Sequence, residues 1–461
     1  MLAKFKQRLR SRRSAAQEPP VLDGIYLLPS EILGGEIFPL VVRAEIHDKI
    51  HNDFWHRKLL ALAGVCTQWR NIVHSTPFLW NQHIPINTRQ FSGVGRFRRN
   101  RLTKKYFEAL RMCLARSAPL PLSISIDDWL VFPGDRKDFA RAVDLISNAA
   151  VRMEVLRINI RCRDDAEMCI LRALERIPTG AFQALTEIDF VFPSDVELVP
   201  FSVMSAPHLR RVKLNAGPDP LKFMSIPWPQ LTHLTLTAPP LACLAVLARC
   251  NNLVSAVLHH MYTSLPDDTA PTTATLVHLT SLRLTVSSTL IQAVGNLVLP
   301  ALTTLELIYD DEDMIWPQLE VFRQLPLHNI QCLTFEFNDE DMPESATLCA
   351  LLRCTPSVTE LKLKECDCID NALLNALRGD GPRSKLLLPQ LELFSIDWGS
   401  SMFSDNFDSE NWKVMLASRV GVGLRRIVYR GNYYGQVSAL AVYHVDGLQV
   451  DVSGVKSIII I

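Results

Sequence analysis

A short apolar pattern recurs along most of the chain. From residue 153 onward, segments of the form L-x-x-L-x-L, with other apolar residues allowed at the fixed positions, return eleven times. Apolar residues at the fourth and sixth positions alternate with polar ones, which is the period of a strand with one buried face. We therefore predict eleven short strands. Their patterns begin at Met153, Leu185, Leu209, Leu231, Leu253, Leu279, Leu302, Ile330, Val358, Leu391 and Leu424.

The spacing of these patterns predicts a repeat architecture. Successive starts are 22 to 33 residues apart, and leucine-rich repeats typically run about 20–29 residues. Helical spacing between strands is clearest over Leu241–Arg249, Met342–Arg353 and Asn371–Arg378, and residues 448–452 alternate like one more strand. The predicted fold class is α/β: a small N-terminal three-helix module followed, over residues 103–461, by an irregular leucine-rich-repeat solenoid with a parallel sheet on its concave face.

Residues 25–84 show a helical pattern instead. Leu28-Pro29-Ser30-Glu31 is typical of a helix start, because proline fits the first turn and an early acid favours the helix dipole. Pro39 is expected to end this helix. Apolar residues at spacings of three and four predict a second helix over residues 57–74, and a third, short helix is expected at residues 77–80.

Two segments flank this helical module. Residues 1–24 carry six basic residues before Pro19 and sustain no apolar face, so we predict a disordered basic tail. A nuclear import signal is the alternative interpretation of these charges. Residues 85–102 are predicted to be a linker to the repeat domain.

Charge and cysteine content narrow the class of protein. Lys plus Arg equals Asp plus Glu, at 48 each, so the chain has no overall electrostatic reason to bind nucleic acid or an acidic membrane. No apolar run approaches the roughly 18 residues of a membrane span, and the N-terminus lacks a secretory apolar stretch. Eleven cysteines, an odd number, then indicate reduced thiols in the cytoplasm or nucleus.

Signals for enzymatic or metal chemistry are weak. His47-Asp48-x-x-His51 has an aspartate where a zinc protease needs glutamate, and Cys366-x-Cys368 lacks a second cysteine pair. The acidic runs 310–313 and 339–341 lack the glycine and terminal glutamate of a calcium loop. No Walker sequence or nucleophile elbow is present. We therefore predict no catalytic residues, no metal and no cofactor.

The N-terminal pattern resembles the F-box over about residues 25–84. The matching positions are Leu28-Pro29-x-Glu31-Ile32-Leu33-x3-Ile37-Phe38, Leu62-x2-Val65-Cys66-x2-Trp69-Arg70-x-Ile72 and Thr76-Pro77-x-Leu79-Trp80. The stretches Leu114–Ile124 and Leu352–Leu361 resemble fungal, chiefly mushroom-type, F-box proteins. The chain departs from the family in a longer segment from Pro39 to Arg57 and in the pair Gly34-Gly35.

What this resemblance implies is a substrate receptor. An F-box docks on the Skp adaptor and through it on a cullin, while the repeats hold the protein to be ubiquitinated. Carried over by position, the residues that form or support the adaptor-binding surface are Leu28, Pro29, Ile32, Leu33, Ile37, Leu62, Val65, Cys66, Trp69 and Arg70.

The target is expected on the concave face, where polar residues flank the inward ones on each strand. The candidate residues are Arg157, Asn159, Asp189, Arg211, Lys213, His233, Thr235, Arg283, Glu306, Glu336, Glu360, Lys362 and Asp397. This face runs from basic near Arg211 and Lys213 toward acidic and mixed. The alternative is a repeat scaffold that binds partner proteins without any link to ubiquitination.

Overall fold

The protein is described from a computed structural model, which covers residues 28–43, 55–81, 84–86, 96–127, 144–159, 177–178, 180–192, 201–203, 205–215, 224–260, 273–309, 319–337, 344–364, 369–379, 386–398, 409–431, 441–442, 448–453 and 459–460. The predictions for the tail 1–24, the pair His47 and His51, the two acidic runs and the pair Cys366 and Cys368 lie outside these residues.

The chain divides into two compact units. The first, named the head, is Met1–Pro85 with Gly93–Ser123, and the second, named the ladder, is Ile86–Ser92 with Ile124–Ile461. The helices are α1 (α-helical Ser30–Ile32, π-helical Leu33–Ile37 and α-helical Phe38–Arg43), α2 (Trp55–Ala63), α3 (Thr67–Ser75), α4 (Arg96–Arg116), α5 (Pro240–Leu247), α6 (Ser288–Gly295), α7 (Leu319–Phe322), α8 (Ser345–Arg353), α9 (Asn371–Leu377) and α10 (Ser409–Val420).

The described residues also form twenty strands. They are β1 (Ile84–Ile86), β2 (Leu122–Asp127), β3 (Met153–Asn159), β4 (Glu187–Val191), β5 (Phe201–Ser202), β6 (Arg211–Asn215), β7 (Met224–Ser225), β8 (His233–Ala238), β9 (Ser255–His260), β10 (Ala274–Thr275), β11 (Ser281–Thr285), β12 (Leu297–Val298), β13 (Thr304–Tyr309), β14 (Cys332–Phe337), β15 (Glu360–Lys364), β16 (Leu393–Trp398), β17 (Arg426–Gly431), β18 (Ala441–Val442), β19 (Gln449–Ser453) and β20 (Ile459–Ile460).

Helix α1 does not end at Pro39, so that prediction was wrong. Its middle turn is π-helical, and the amide of Phe38 donates to the carbonyl of Leu33, five residues earlier. A π turn changes the spacing of the carbonyls that a proline ring would otherwise meet, so the helix continues through Pro39 to Arg43.

The helix predicted over residues 57–74 is two helices, α2 and α3. The thiol of Cys66 accepts the amide of Trp69 at 3.4 Å, and Arg70 Nε donates to the carbonyl of Ala63 at 3.1 Å. These bonds satisfy a donor at the start of α3 and an acceptor at the end of α2. Apolar spacing did not reveal the break because the buried positions keep the same phase across it.

Gly34 lies where α1 packs closely on the end of α3. A Cβ atom on Gly34 would be 3.0 Å from Ile72 Cγ2 and 3.2 Å from Thr76 Oγ1. A Cβ atom on Gly35 would meet nothing within 4 Å. The absence of a side chain at Gly34 therefore permits the close approach of α1 to α3. At Gly35 the approach does not require a glycine.

The predicted third helical turn is a 3-10 turn over Pro77–Leu79. Leu79 and Trp80 are buried, and Trp80 Nε1 donates to the carbonyl of Val73 at 2.6 Å. The guanidinium of Arg116, at the end of α4, lies 4.7 Å from the Trp80 ring centroid. Helix α4 therefore belongs to the head core.

Helix α4 also corrects the predicted linker over residues 85–102. The helix begins at Arg96, inside that segment, and runs to Arg116. Its buried face includes Tyr106, Phe107 and Leu110. Because Arg and Lys are good helix formers, the helix extends toward its N-terminus beyond its apolar face.

Twelve described strands of the ladder form one parallel array. Their order in the sheet is β3-β4-β6-β8-β9-β11-β13-β14-β15-β16-β17-β19, with β2 next to β3. Eleven of them are the strands predicted from the recurring pattern, and β19 is the strand expected at residues 448–452. The fold is thus mixed α/β with a long parallel sheet, as predicted.

The side chains at the fourth and sixth positions of each pattern form the ladder core. Leu234 and Leu236 on β8, and Leu361 and Leu363 on β15, are at most 1% exposed. Complete burial of one such side chain contributes about 1.5–3 kcal/mol. Helices α5, α8 and α9, which connect successive strands of the array, occupy segments predicted to be helical. Neighbouring helices of this connecting kind pack side by side.

One buried cation connects the segment between β15 and β16 to the segment between β16 and β17. Arg419, on α10, is 1% exposed, and its guanidinium donates to the carbonyls of Leu377, Leu387 and Leu388. Burial lowers its pKa to about 10, so it stays protonated at neutral pH. Arg419 therefore provides a donor to each of these carbonyls, of which that of Leu388 also accepts the amide of Leu391.

Candidate functional site

The side chains that alternate with the buried ones form the open face of the ladder. Strand register aligns them in rows across the sheet, so each residue lies beside its counterparts on neighbouring strands. The middle row contains Arg157, Asp189, Lys213, Thr235, Val257, Arg283, Glu306, Thr334, Lys362, Ser395, Val428 and Asp451. Every residue predicted for target binding lies on a strand of this array, and each is exposed or half-buried.

Four charged side chains of the open face form one cluster. Arg283 Nη2 donates to Glu336 at 2.8 Å, and Arg283 Nη1 lies 3.6 Å from Glu306. Lys364 Nζ donates to Glu306 at 2.5 Å and to Glu336 at 2.9 Å. The two cations lie on the outer strands, β11 and β15, and the two carboxylates lie between them on β13 and β14. We name this set the charge cluster.

The contacts within the charge cluster shift the pKa values of Glu336 and Lys364. Burial by itself raises the pKa of Glu336, but the hydrogen bond from Lys364 and the charges of Arg283 and Lys364 outweigh it, so the pKa lies below its ordinary value. Burial likewise opposes the charge of Lys364, and hydrogen bonds to Glu306 and Glu336 reverse that effect and raise its pKa. Both groups are therefore held in their charged forms near neutral pH.

The strands that precede the cluster carry simpler ion pairs. Arg157 donates to Glu187 at 2.9 Å, and Lys213 lies 3.5 Å from Asp189. Arg211 is exposed and has no ion-pair partner among the residues that the structure describes. Burial and the charge of Arg211 lower the pKa of the neighbouring His233, so His233 is neutral at neutral pH.

Two residues of these networks were missed from the sequence. Lys364 joins the charge cluster and Glu187 pairs with Arg157, yet neither was among the predicted residues. Lys364 follows Lys362 by two positions on β15 and therefore faces the same way. Each lies two positions from a predicted residue on the same strand, Glu187 from Asp189 and Lys364 from Lys362. Continuing the alternation by two residues along each strand would therefore have found both.

The residues predicted to bind the adaptor differ in exposure. Pro29, Ile32, Val65 and Arg70 are exposed, and Leu28, Ile37, Leu62, Cys66 and Trp69 are half-buried. Leu33 has no exposed surface, so of the two roles considered for these residues, contact and support, only support is open to it. Leu33 begins the π-helical turn and belongs to the head core.

The head also exposes apolar side chains that the sequence did not single out. Leu40, Val41, Leu60 and Phe78 are each more than 40% exposed. Together with Ile32 and Val65 they form a set of six, which we name the exposed apolar set. The half-buried Trp69 packs against the buried Phe38, and their ring centroids are 5.0 Å apart.

The described residues contain no group of three or more His, Cys, Asp or Glu side chains placed to hold a metal ion. Among the same residues, no helix has both the length and the apolar character needed to cross a bilayer.

Comparison with known proteins finds similarity among solved structures. No protein-family model matches the chain, and no curated protein matches it. Among solved structures, the chain is similar to a Bacteroides fragilis protein, with 13% sequence identity and a TM-score of 0.29. The similarity covers 70% of this chain and 82% of that protein.

Proposed function

We propose that the chain is the substrate-recognition subunit of a Skp-cullin-F-box ubiquitin ligase. In this proposal the head is an F-box that docks on the Skp adaptor, and the ladder is a leucine-rich-repeat domain whose open face holds the target protein. The chain carries out no chemistry itself. It raises the effective concentration of the target near the ubiquitin-conjugating enzyme.

The exposed apolar set supports the docking role of the head. Among the described residues, eleven large apolar side chains are clearly exposed, and six of them lie within residues 28–81. The other five are single valines spread over residues 151–414. Such a concentration of apolar surface in a short helical segment is typical of a protein-interaction site.

The residues of this set are suited to contact with a partner's helices. Ile32 and Val65 also occupy positions that the F-box resemblance assigns to the adaptor. Because both side chains are already exposed, changing them removes contact surface without creating a cavity. They therefore separate loss of binding from loss of folding.

A pull-down of recombinant full-length chain with the Skp adaptor tests the proposal. The wild type should retain the adaptor, and the double variant Ile32→Asp/Val65→Asp should lose most of it. The matched control Val277→Asp/Val298→Asp changes two equally exposed valines of the ladder and should bind like the wild type. Circular dichroism should show all three proteins folded.

Two results would decide against the proposal. A folded wild type that fails to bind the adaptor would favour the scaffold function without ubiquitination. Equal loss of binding in the head variant and the control would mean that the exposed apolar set is not the docking surface.

A further inference from the structure

The open face presents its cations outward and its carboxylates beneath them. In the pair of Lys213 and Asp189 the side chains are 53% and 22% exposed, respectively. Arg283 is 33% exposed and its partner Glu306 is 20% exposed. In every ion pair described on this face the cation is more exposed than its carboxylate partner. This includes the pairs of Arg157, Lys362, Lys364 and Arg426. An approaching protein therefore meets ammonium and guanidinium groups first, although formal charges on the chain balance.

This bias is strongest on strand β6. Arg211 and Lys213 are both exposed, and the separation of 3.5 Å between Lys213 and Asp189 is at the long limit of a hydrogen bond. Arg211 has no carboxylate partner in the part of the chain that the structure describes. Much of the charge on these two cations is therefore available to a ligand.

The strands beyond β6 provide room for a bound segment. Across β8 and β9 the register positions next to Arg211 and Lys213 hold His233, Ser255 and the small residues Thr235 and Val257. Within these described strands the positions carry no charge, because His233 is neutral at neutral pH. A polypeptide lying there meets an uncharged floor beside a cationic edge.

From this arrangement we propose that strands β6 to β9 of the open face bind an acidic segment of the target protein. Aspartate or glutamate side chains of that segment pair with Arg211 and Lys213, and its uncharged side chains lie over Thr235 and Val257. The inference rests on the proposed function, in that the same face holds the target. Charge complementarity selects an acidic partner, since a basic segment would meet like charges first.

Selection of random short peptides displayed on phage, with the full-length chain as bait, tests this inference. The enriched peptides should carry more negative net charge than the unselected library. The most enriched peptide is then synthesised in two forms, one with its acids and one with each acid replaced by its amide. The acidic form should bind about tenfold more tightly, because two partly exposed charge contacts are lost in the amide form.

Variants identify the surface that binds. Arg211→Ala/Lys213→Ala should weaken binding of the acidic peptide about tenfold. The control Arg323→Ala/Lys413→Ala removes one Arg and one Lys that pair within their own helical segments and should leave binding unchanged. Added salt should weaken the wild-type interaction.

Several results would overturn the inference. These are an enriched pool without negative charge, no enrichment on folded wild type, equal binding of the two peptide forms, or equal losses in both double variants. Tighter binding of single-stranded DNA than of the acidic peptide would point to nucleic acid instead. The adaptor pull-down uses no peptide, so failure here leaves the docking role of the head to its own test.

Discussion

The charge cluster allows a quantitative test of how the open face is held together. Replacing Lys364 by Met removes the cation that donates to both Glu306 and Glu336. Arg283 then remains as the cluster's one cation opposite two carboxylates. We expect the variant to unfold at lower urea concentration than the wild type.

The size of the effect follows from partial burial. Hydrogen bonds between charged groups contribute about 1.5–3 kcal/mol when protected from water, and exposed ion pairs contribute about 0–1 kcal/mol. The side chains of Lys364 and Glu336 are 34% and 20% exposed, which lies between these limits. Lys364→Met should therefore cost about 1–2 kcal/mol.

A double-mutant cycle separates the interaction from other effects of each change. The free energies of unfolding of wild type, Lys364→Met, Glu336→Gln and the double variant should give a coupling energy of about 1 kcal/mol at neutral pH. The control cycle uses Glu320→Gln and Arg323→Met, an exposed pair 3.9 Å apart. Its coupling energy should not exceed about 0.5 kcal/mol.

The coupling should also depend on pH with a defined sign. The native pKa of Glu336 lies below its ordinary value of 4.5, so this carboxylate stabilises the fold above that pH. The contribution is lost as the pH falls through the native pKa. Urea titrations repeated at progressively lower pH should therefore show the coupling energy decreasing. A coupling equal to that of the control cycle, or one that persists in acid, would refute the reasoning.

Three further predictions concern the core. Arg419→Met should lower the free energy of unfolding by about 2–4 kcal/mol in urea titration, because the carbonyls of Leu377 and Leu387 lose the donor that Arg419 provides and that of Leu388 keeps only the amide of Leu391. The exposed Arg425→Met should change it by less than about 0.5 kcal/mol. Gly34→Ala should lower the melting temperature and Gly35→Ala should raise it, since only the first meets neighbouring atoms and alanine favours the helix. Peptide mapping after thiol labelling at pH 8 should show three cysteines unlabelled until the protein unfolds, because burial raises the pKa of each to about 12: Cys113, Cys243 and Cys250.

The candidate sites were predictable to different degrees. Alternation placed Arg211, Lys213 and Glu306 on one face of the sheet, because side-chain direction in a strand is set by position. Alternation did not predict that Lys364 completes a cluster with Glu306. That contact depends on the register between β13 and β15, and the number of residues between successive strands varies along the chain. In the head, the resemblance selected Ile32 and Val65, which are exposed, and also Leu33, which is buried.

Local chemistry explains where the helical predictions failed. The π turn through Leu33–Ile37 lets α1 pass Pro39, and the thiol of Cys66 caps α3. Each outcome depends on contacts within a turn that residue spacing does not describe. The break before α3 is hidden further because the apolar residues on both sides face the same core.

The sequence by itself determined the parallel strand array, because a period of two fixes which face of each strand is buried and every unit needs its neighbours to cover that face. Only the tertiary structure decided which charges meet, which apolar side chains of the head remain exposed, and how Arg419 reaches carbonyls 31 to 42 residues away. These features depend on distances between segments that are remote in the chain. Residue order constrains such distances only once the whole unit has packed.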